Sequence, residues 1–249
     1  MTDIKIDSTI NILGGMPDLQ LINYFLLEHD SKQEHFQFTD IRSQKSVQRF
    51  KKAIKDGFIT GNSKIDELTR TYLFNKNINE NRYLLFLILS VNNSLFNSLN
   101  ENVFFPVYYS GRKLIKKEEV LVCLKDLTKR NQDLAKWGDY TLELTASKYL
   151  TLLKKFGLME GVAKKEIVYQ NLNLEEFTLF IYCIAEFDKS PNKLKSEWLP
   201  YSFLEKEFLL KMVLDKKRMK FIDLTYASEN LKYKTLIEYS QLYDTFKSL

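Results

Sequence analysis

The run YLLFLILSV at 83–91 constrains this chain more than any other stretch. It spans nine residues, almost all apolar, and ends against Asn92 and Asn93. A helix that crosses a membrane needs roughly 20 apolar residues. This run is too short for that and too uniformly apolar for a half-exposed surface helix. It reads as a helix buried on all sides, around which other helices must pack. The remaining sequence can supply them. Glycine and proline, which break helices and make tight turns, number only 8 and 4 in 249 residues. The expected fold class is therefore mostly α, a compact multi-helix protein.

Apolar spacing places the other elements. Pro17 and Asp18 open a helical stripe of Leu19, Ile22, Phe25 and Leu26 over 17–29. In SQKSVQRFKKAIKDGFI, Val47, Phe50, Ile54 and Phe58 share one helix face. Helices follow over 63–75 and 82–99. Residues 100–114 read as an irregular or short extended stretch, because Pro106 and Gly111 interrupt them. A helix spans 116–131, and Trp137 and Gly138 then make a turn. The next helix has Thr145 as its N-cap and Gly157 as its stop. Beyond Gly157 the period shifts toward two, with Ile167, Val168 and Tyr169 as strand formers beside Lys164 and Lys165. Helix, glycine, short strand, basic turn and strand make the order of a winged helix-turn-helix element in the second half. Helical segments at 174–188, 199–214 and 228–248 complete the chain. The expected organisation is an N-terminal helical domain over 1–114 and a C-terminal one over 115–249, which can also pack as one unit.

Charge is clustered. The net charge is +5, but residues 42–55 hold Arg42, Lys45, Arg49, Lys51, Lys52 and Lys55 with no acid. Arg42, Lys45, Arg49 and Lys52 recur at steps of three, four and three, and so form a straight cationic stripe on one helix face. Most charged faces are simply solvated. This one lacks the interleaved acids that usually neutralise such a helix, and a line of phosphates is the partner that a straight stripe can follow. The 145–157 helix offers a second cationic face, with Lys148, Thr151, Lys154 and Lys155 pointing outward and Lys164 and Lys165 as a wing. These residue types suit phosphate contacts. With no Arg or Asn on that face, bidentate base recognition is poor, so a weak sequence preference is expected. Further basic runs lie at 112–117 and 211–220.

Catalytic chemistry finds little support. His29 and His35 are the only histidines, and six residues apart they do not share a helix face. No HExxH, GxSxG or CxxC pattern occurs. ILGGMPD at 12–18 has two glycines but lacks the Lys-Ser/Thr of a P-loop. Cys123 and Cys183 sit in apolar helical patterns, without metal-ligand spacing, and read as reduced core residues. No apolar signal segment opens the sequence, so a cytoplasmic protein is expected. These features together favour a protein that is not an enzyme and holds neither metal nor cofactor. With two histidines, little should titrate between about pH 6 and 8.

The chain also resembles a known family. RSQKSVQRFKKAIKDGF followed by RYLLFLILSVNNSLFNSLNENVF is similar to the N-terminal half of BrxA proteins of BREX bacteriophage-defence systems. KWGDYTLELTASKYLTLLKKFGLMEG resembles that family's second signature, and SEWLPYSFLEKEFLLKMVL the segment after it. The similarity is one of patterning over residues 14–225. It implies a helical fold like that of the transcription factor NusB, DNA binding without catalysis, and partners among the other BREX-system proteins. The expected DNA partner is a duplex, with a single strand as the other form. The family is in places described as a membrane protein, and the nine-residue limit of the apolar run argues against a membrane here. It carries over to the basic helix at 42–55 and the helix at 145–157, and leaves residues 226–249 without a role. The competing expectation is a protein–protein adaptor in a defence complex, whose basic faces dock on an acidic partner.

Overall fold

The structure, a computed structural model, describes residues 8–27, 41, 43–162, 164–215 and 220–248. In chain order the helices are α1 (Thr9–Gly14), α2 (Gln20–Leu26), α3 (Gln44–Phe58), α4 (Ser63–Asn75), α5 (Arg82–Asn92) and α6 (Ser94–Leu99). A π-helical turn, Asn100–Phe104, joins α6 to α7 (Phe105–Tyr109). Then come α8 (Lys117–Thr128), α9 (Gln132–Ala135), α10 (Asp139–Lys155) and a hairpin of β1 (Met159–Glu160) and β2 (Glu166–Ile167). Next are α11 (Leu174–Phe187), α12 (Lys206–Val213), a second hairpin of β3 (Ile222–Ala227) and β4 (Asn230–Thr235), and α13 (Leu242–Lys247). The protein is mostly helical, as its patterning requires. Its described residues divide into two units, one within Met1–Thr60 and Lys76–Tyr169, the other within Gly61–Asn75 and Gln170–Leu249. Position 114, where the sequence suggests a boundary, lies inside the first.

The first unit is built around α5, in which every residue from Tyr83 to Ser90 is buried. Phe86 of α5 meets Phe96, Phe104 and Phe156 at centroid distances of 6.0, 6.4 and 6.1 Å. A chain of hydrogen bonds runs through this apolar mass. The Tyr149 hydroxyl of α10 donates to Asn100 Oδ1 at 2.8 Å, Asn100 Nδ2 donates to Ser90 Oγ at 3.1 Å, and Ser90 Oγ donates to the Phe86 carbonyl at 2.8 Å. All four residues are buried, and Asn100 sits where α6 passes into the π turn.

Helix α1 lies against both α3 and α10. It approaches α10 so closely that a Cβ on Gly14 would stand 2.7 Å from both the Cβ and the carbonyl oxygen of Lys148. Helix α10 stops as expected. Gly157 adopts φ +76, its N–H reaches the Lys154 carbonyl at 3.0 Å, and Leu158 N–H reaches that of Leu153 at 2.9 Å. That paired pattern satisfies the last turn's free carbonyls. The hairpin that follows is antiparallel, with Met159 opposite Ile167. Ile167 N–H also bonds the Lys113 carbonyl at 2.7 Å.

The second unit packs α4, α11, α13 and the β3–β4 hairpin. The Tyr182 hydroxyl on α11 donates to the Phe221 carbonyl at 2.9 Å and accepts from Ile237 N–H at 3.2 Å. It thereby ties both strands to the helix at the open end of the hairpin.

Three expectations change. Residues 100–109 are helical, because Pro106 falls in the first turn of α7, where its missing N–H costs nothing. Helix α10 begins at Asp139. Thr145 lies inside it, its hydroxyl donating to the Thr141 carbonyl at 2.8 Å. The segment after 228 begins as β4 rather than as a helix. Ser228 and Glu229, both at positive φ, make the tight turn before it.

Replacing Gly14 by Ala forces the α1–α10 crossing apart. Alanine is the better helix former by about 1 kcal/mol, but overpacking costs about 1–3 kcal/mol. The urea midpoint of Gly14→Ala should therefore fall, and an unchanged or raised midpoint would show that the crossing can relax.

Candidate nucleic-acid interface

Helix α3 starts at Ser43, whose hydroxyl accepts the Ser46 N–H at 3.2 Å. Its buried face is Ala53, Ile54, Gly57 and Phe58, while Val47 and Phe50 are half-buried. Gly57 allows the close contact, since a Cβ there would meet Leu89 Cδ1 at 3.1 Å and Leu13 Cδ1 at 3.2 Å. That packing turns Lys45, Arg49 and Lys52 into solvent. Arg42, the first member of the stripe, lies outside the described residues, as do His29 and His35.

On α10 the outward residues divide by role. Thr151 donates its hydroxyl to the Ser147 carbonyl at 2.9 Å, and Ser147 to that of Glu143 at 3.0 Å. Both hydroxyl protons are therefore committed to their own helix. Lys154 Nζ bonds the Gly161 carbonyl at 2.7 Å and ties the hairpin turn to the helix. Lys155 Nζ bonds the Met16 carbonyl just past α1. Lys148 stands beside the double glycine, its Nζ 3.5 Å from where a Gly15 Cβ would lie. The α10 face is thus half covered: α1 rests on it at Lys148.

The arrangement joins the two cationic helices. Arg49, Ser46 and Phe50 from α3, Asn11 and Gly15 from α1 and its end, and Lys148 from α10 line a single cleft of about 190 Å³. Asn11 Oδ1 is buried there with no hydrogen-bond partner among the described residues. From Lys148 the positive charge runs on to the hairpin. Burial, then the nearby charges of Lys154 and Lys148, hold the Lys165 ammonium below the usual lysine range. Burial, then Lys148, pull Lys155 down to about 8 against the opposing pull of Asp18. Lys164 is exposed at the end of the turn. Among the described residues, no carboxylate lies within ion-pair distance of Lys45, Arg49, Lys52, Lys148, Lys154, Lys155, Lys164 or Lys165. The basic run at 112–117 differs. Arg112 pairs with Glu119 at 2.7 Å and Lys117 with Glu143 at 3.5 Å. The run at 211–220 lies partly outside the described residues.

Sequence reasoning missed α1, and weighed its two glycines only as a phosphate loop. The signal was there in TINILGG, where Ile10 and Leu13 are three apart and glycines follow. It also missed the exposure of Tyr140, which is 80% accessible on the first turn of α10. Cys183 is fully buried and its thiol is pushed up to about 12, and burial also raises the half-buried Cys123. Neither is an activated thiolate.

Fold and surface define a class: a helical protein that gathers unneutralised cations from two helices and a hairpin onto one face. Residues 30–181 match the model of the BrxA family. The chain belongs to that family, a component of BREX bacteriophage-defence systems. Neither a curated protein nor a solved structure matches it. No helix among the described residues is long and apolar enough to cross a membrane.

The depressed Lys155 gives a pH signature. An unfolded lysine titrates near about 10.4. Between about pH 8, the folded value, and that point, the unfolded chain holds the extra proton, so stability rises with pH across this window. The thiols of Cys183 and Cys123, raised by burial, act in the opposite sense from about pH 8.5, so the Lys155 contribution is read as a difference. Between about pH 8 and 9.5 the urea midpoint of the unaltered chain should rise relative to that of Lys155→Met. A constant difference between the two would show that Lys155 does not carry the signature.

Proposed function

We propose that the chain is a non-enzymatic, cytoplasmic DNA-binding component of its defence system, contacting duplex phosphates with weak sequence preference. The observation that supports this reading best is the continuity of unpaired cations from Arg49 through Lys148 to Lys165. Like charges held this close repel one another, and a polyanion relieves that repulsion while releasing its own counterions. Most of these cations are carried by helices, so the spacing of their backbone positions is fixed before binding. The free ones are Lys45, Arg49, Lys52, Lys148, Lys164 and Lys165. Lys154 and Lys155 hold the scaffold and contribute field rather than contacts. Since lysines dominate, they position the protein on the backbone and read few bases. Other BREX proteins are natural partners for the remaining surface.

Arg49→Glu with Lys52→Glu tests this first. Both side chains are exposed, so the fold should survive. Duplex affinity should drop by tenfold or more at moderate salt, roughly 1.4 kcal/mol. A folded double variant with unchanged affinity would favour the adaptor reading, in which the basic faces meet an acidic protein.

A salt titration separates contact from field. Each neutralised phosphate contributes about 0.9 to the slope of log affinity against log salt. Lys164→Gln with Lys165→Gln should lower the slope by about 2 and weaken all sequences alike. An unchanged slope would remove the hairpin from the interface. A loss confined to one sequence would mean direct base readout.

A further inference from the structure

We propose that the groove between the N-terminal turn of α8, α10 and the β1–β2 hairpin seats one unpaired nucleotide at the end of a DNA strand. The groove encloses about 530 Å³, within the usual range of about 300–1,000 Å³ for ligand pockets. Its chemistry is divided. Leu114, Ile115, Leu150 and Val162 supply apolar walls, and Lys116, Lys117, Lys164 and Lys165 supply a cationic rim. Glu118 is the carboxylate on that rim, and Lys117 is already engaged by Glu143 at 3.5 Å. The first turn of α8, a helix of 12 residues, adds its partial positive charge.

A ligand for such a groove needs an apolar flat part and an anionic part about one lysine's reach away. A nucleotide has both, with a base face for the walls and a phosphate for the rim. Val162 is the telling residue. It is 88% exposed, held out by a turn that only glycine can make. Gly161 has φ +89, and a Cβ there would lie 2.0 Å from the Lys164 carbonyl oxygen. Lys154 fixes that turn through the Gly161 carbonyl. The flat face of a base laid on this exposed branched side chain would remove its apolar area from water. The groove shares Lys165 with the cationic face, so a strand lying along that face runs its end toward the groove. An acidic peptide would also satisfy the lysines. A peptide, however, is read by side-chain pockets repeating at strand or helix spacing, and this groove has one short apolar wall.

This inference rests on the DNA-binding reading, and the test tells their failures apart. Affinities are compared for a blunt duplex and for the same duplex carrying a short unpaired overhang, with a Glu-rich peptide as competitor. The overhang should raise affinity roughly fivefold, the gain expected from covering the exposed surface of Val162 and Leu114. Leu114→Ser with Val162→Ser removes apolar wall and no charge. It should erase the overhang preference and leave blunt-duplex affinity and salt slope unchanged. Should that variant misfold, Lys116→Gln with Lys164→Gln on the exposed rim should reduce the preference instead. Equal binding of blunt and overhanging duplexes would overturn the groove while leaving the cationic face intact. So would a preference that survives both variants, or displacement of the overhang alone by the peptide. No binding to either duplex would overturn the broader reading with it.

Discussion

The buried chain from Tyr149 through Asn100 and Ser90 to the Phe86 carbonyl is the constraint on which the first unit depends. Each of its polar groups sits among phenylalanines, where an unmet donor or acceptor costs about 1–3 kcal/mol. Only one rotation and one height of α10 along α5 let all three bonds form. The hydrogen bonds thus add a directional requirement to the register that the Phe86 ring contacts and the Gly14 crossing also hold. Asn100 can reach both partners because it starts a π turn, where the extra residue per turn moves its side chain off the normal helical stripe. The positions of Lys148, Lys154 and Lys155 are thus set from the core outward.

The crossing of α1 on α10 then decides what those lysines do. Backbone-to-backbone approach at Gly14 closes the seam at that point, and a charged group buried beside it needs a partner in the protein. Lys155 answers this at the Met16 carbonyl, and its lowered proton affinity follows from that burial. Lys154 does the same for the hairpin at Gly161. Two of the lysines that look outward on a helical wheel are structural ties. Their charge remains, however, and raises the potential felt at Arg49, Lys148 and Lys165.

How much of this was legible follows from the reach of each signal. The strongly periodic segments, α3, α4, α5, α8 and α11, could be read because burial of one face or of all faces is written locally. Gly157 was legible as a stop because a left-handed C-terminal residue is a backbone requirement. The helix through Pro106 was hidden because proline is neutral in a first turn, and a sequence does not announce where the turn begins. The β3–β4 hairpin was hidden by its turn. Ser228 and Glu229 adopt positive φ without being glycine or asparagine, although IDLTYA and LKYKT alternate with period two. In the candidate site, the residue types and the helix faces were legible. The meeting of Arg49 with Lys148 was not, since it depends on α1, an element of six residues lying far from both in sequence.

That dependence also explains why the cationic face can exist at all. A surface of like charges weakens the fold that carries it, and most proteins dilute such surfaces with acids. Here the acids that pair with lysine and arginine, such as Glu119, Glu143 and Glu186, are engaged with Arg112, Lys117 and Lys64. Near the cluster, Asp18 is the carboxylate felt by Lys155. The repulsion is carried by the tightly crossed α1, α3 and α10 rather than relieved by neighbours. Burial first, and the neighbouring cations second, lower the proton affinity of Lys155 and Lys165. A face kept positive at the expense of its own scaffold gains stability whenever an anion lies on it, and linkage requires the anion to be held more tightly for the same reason.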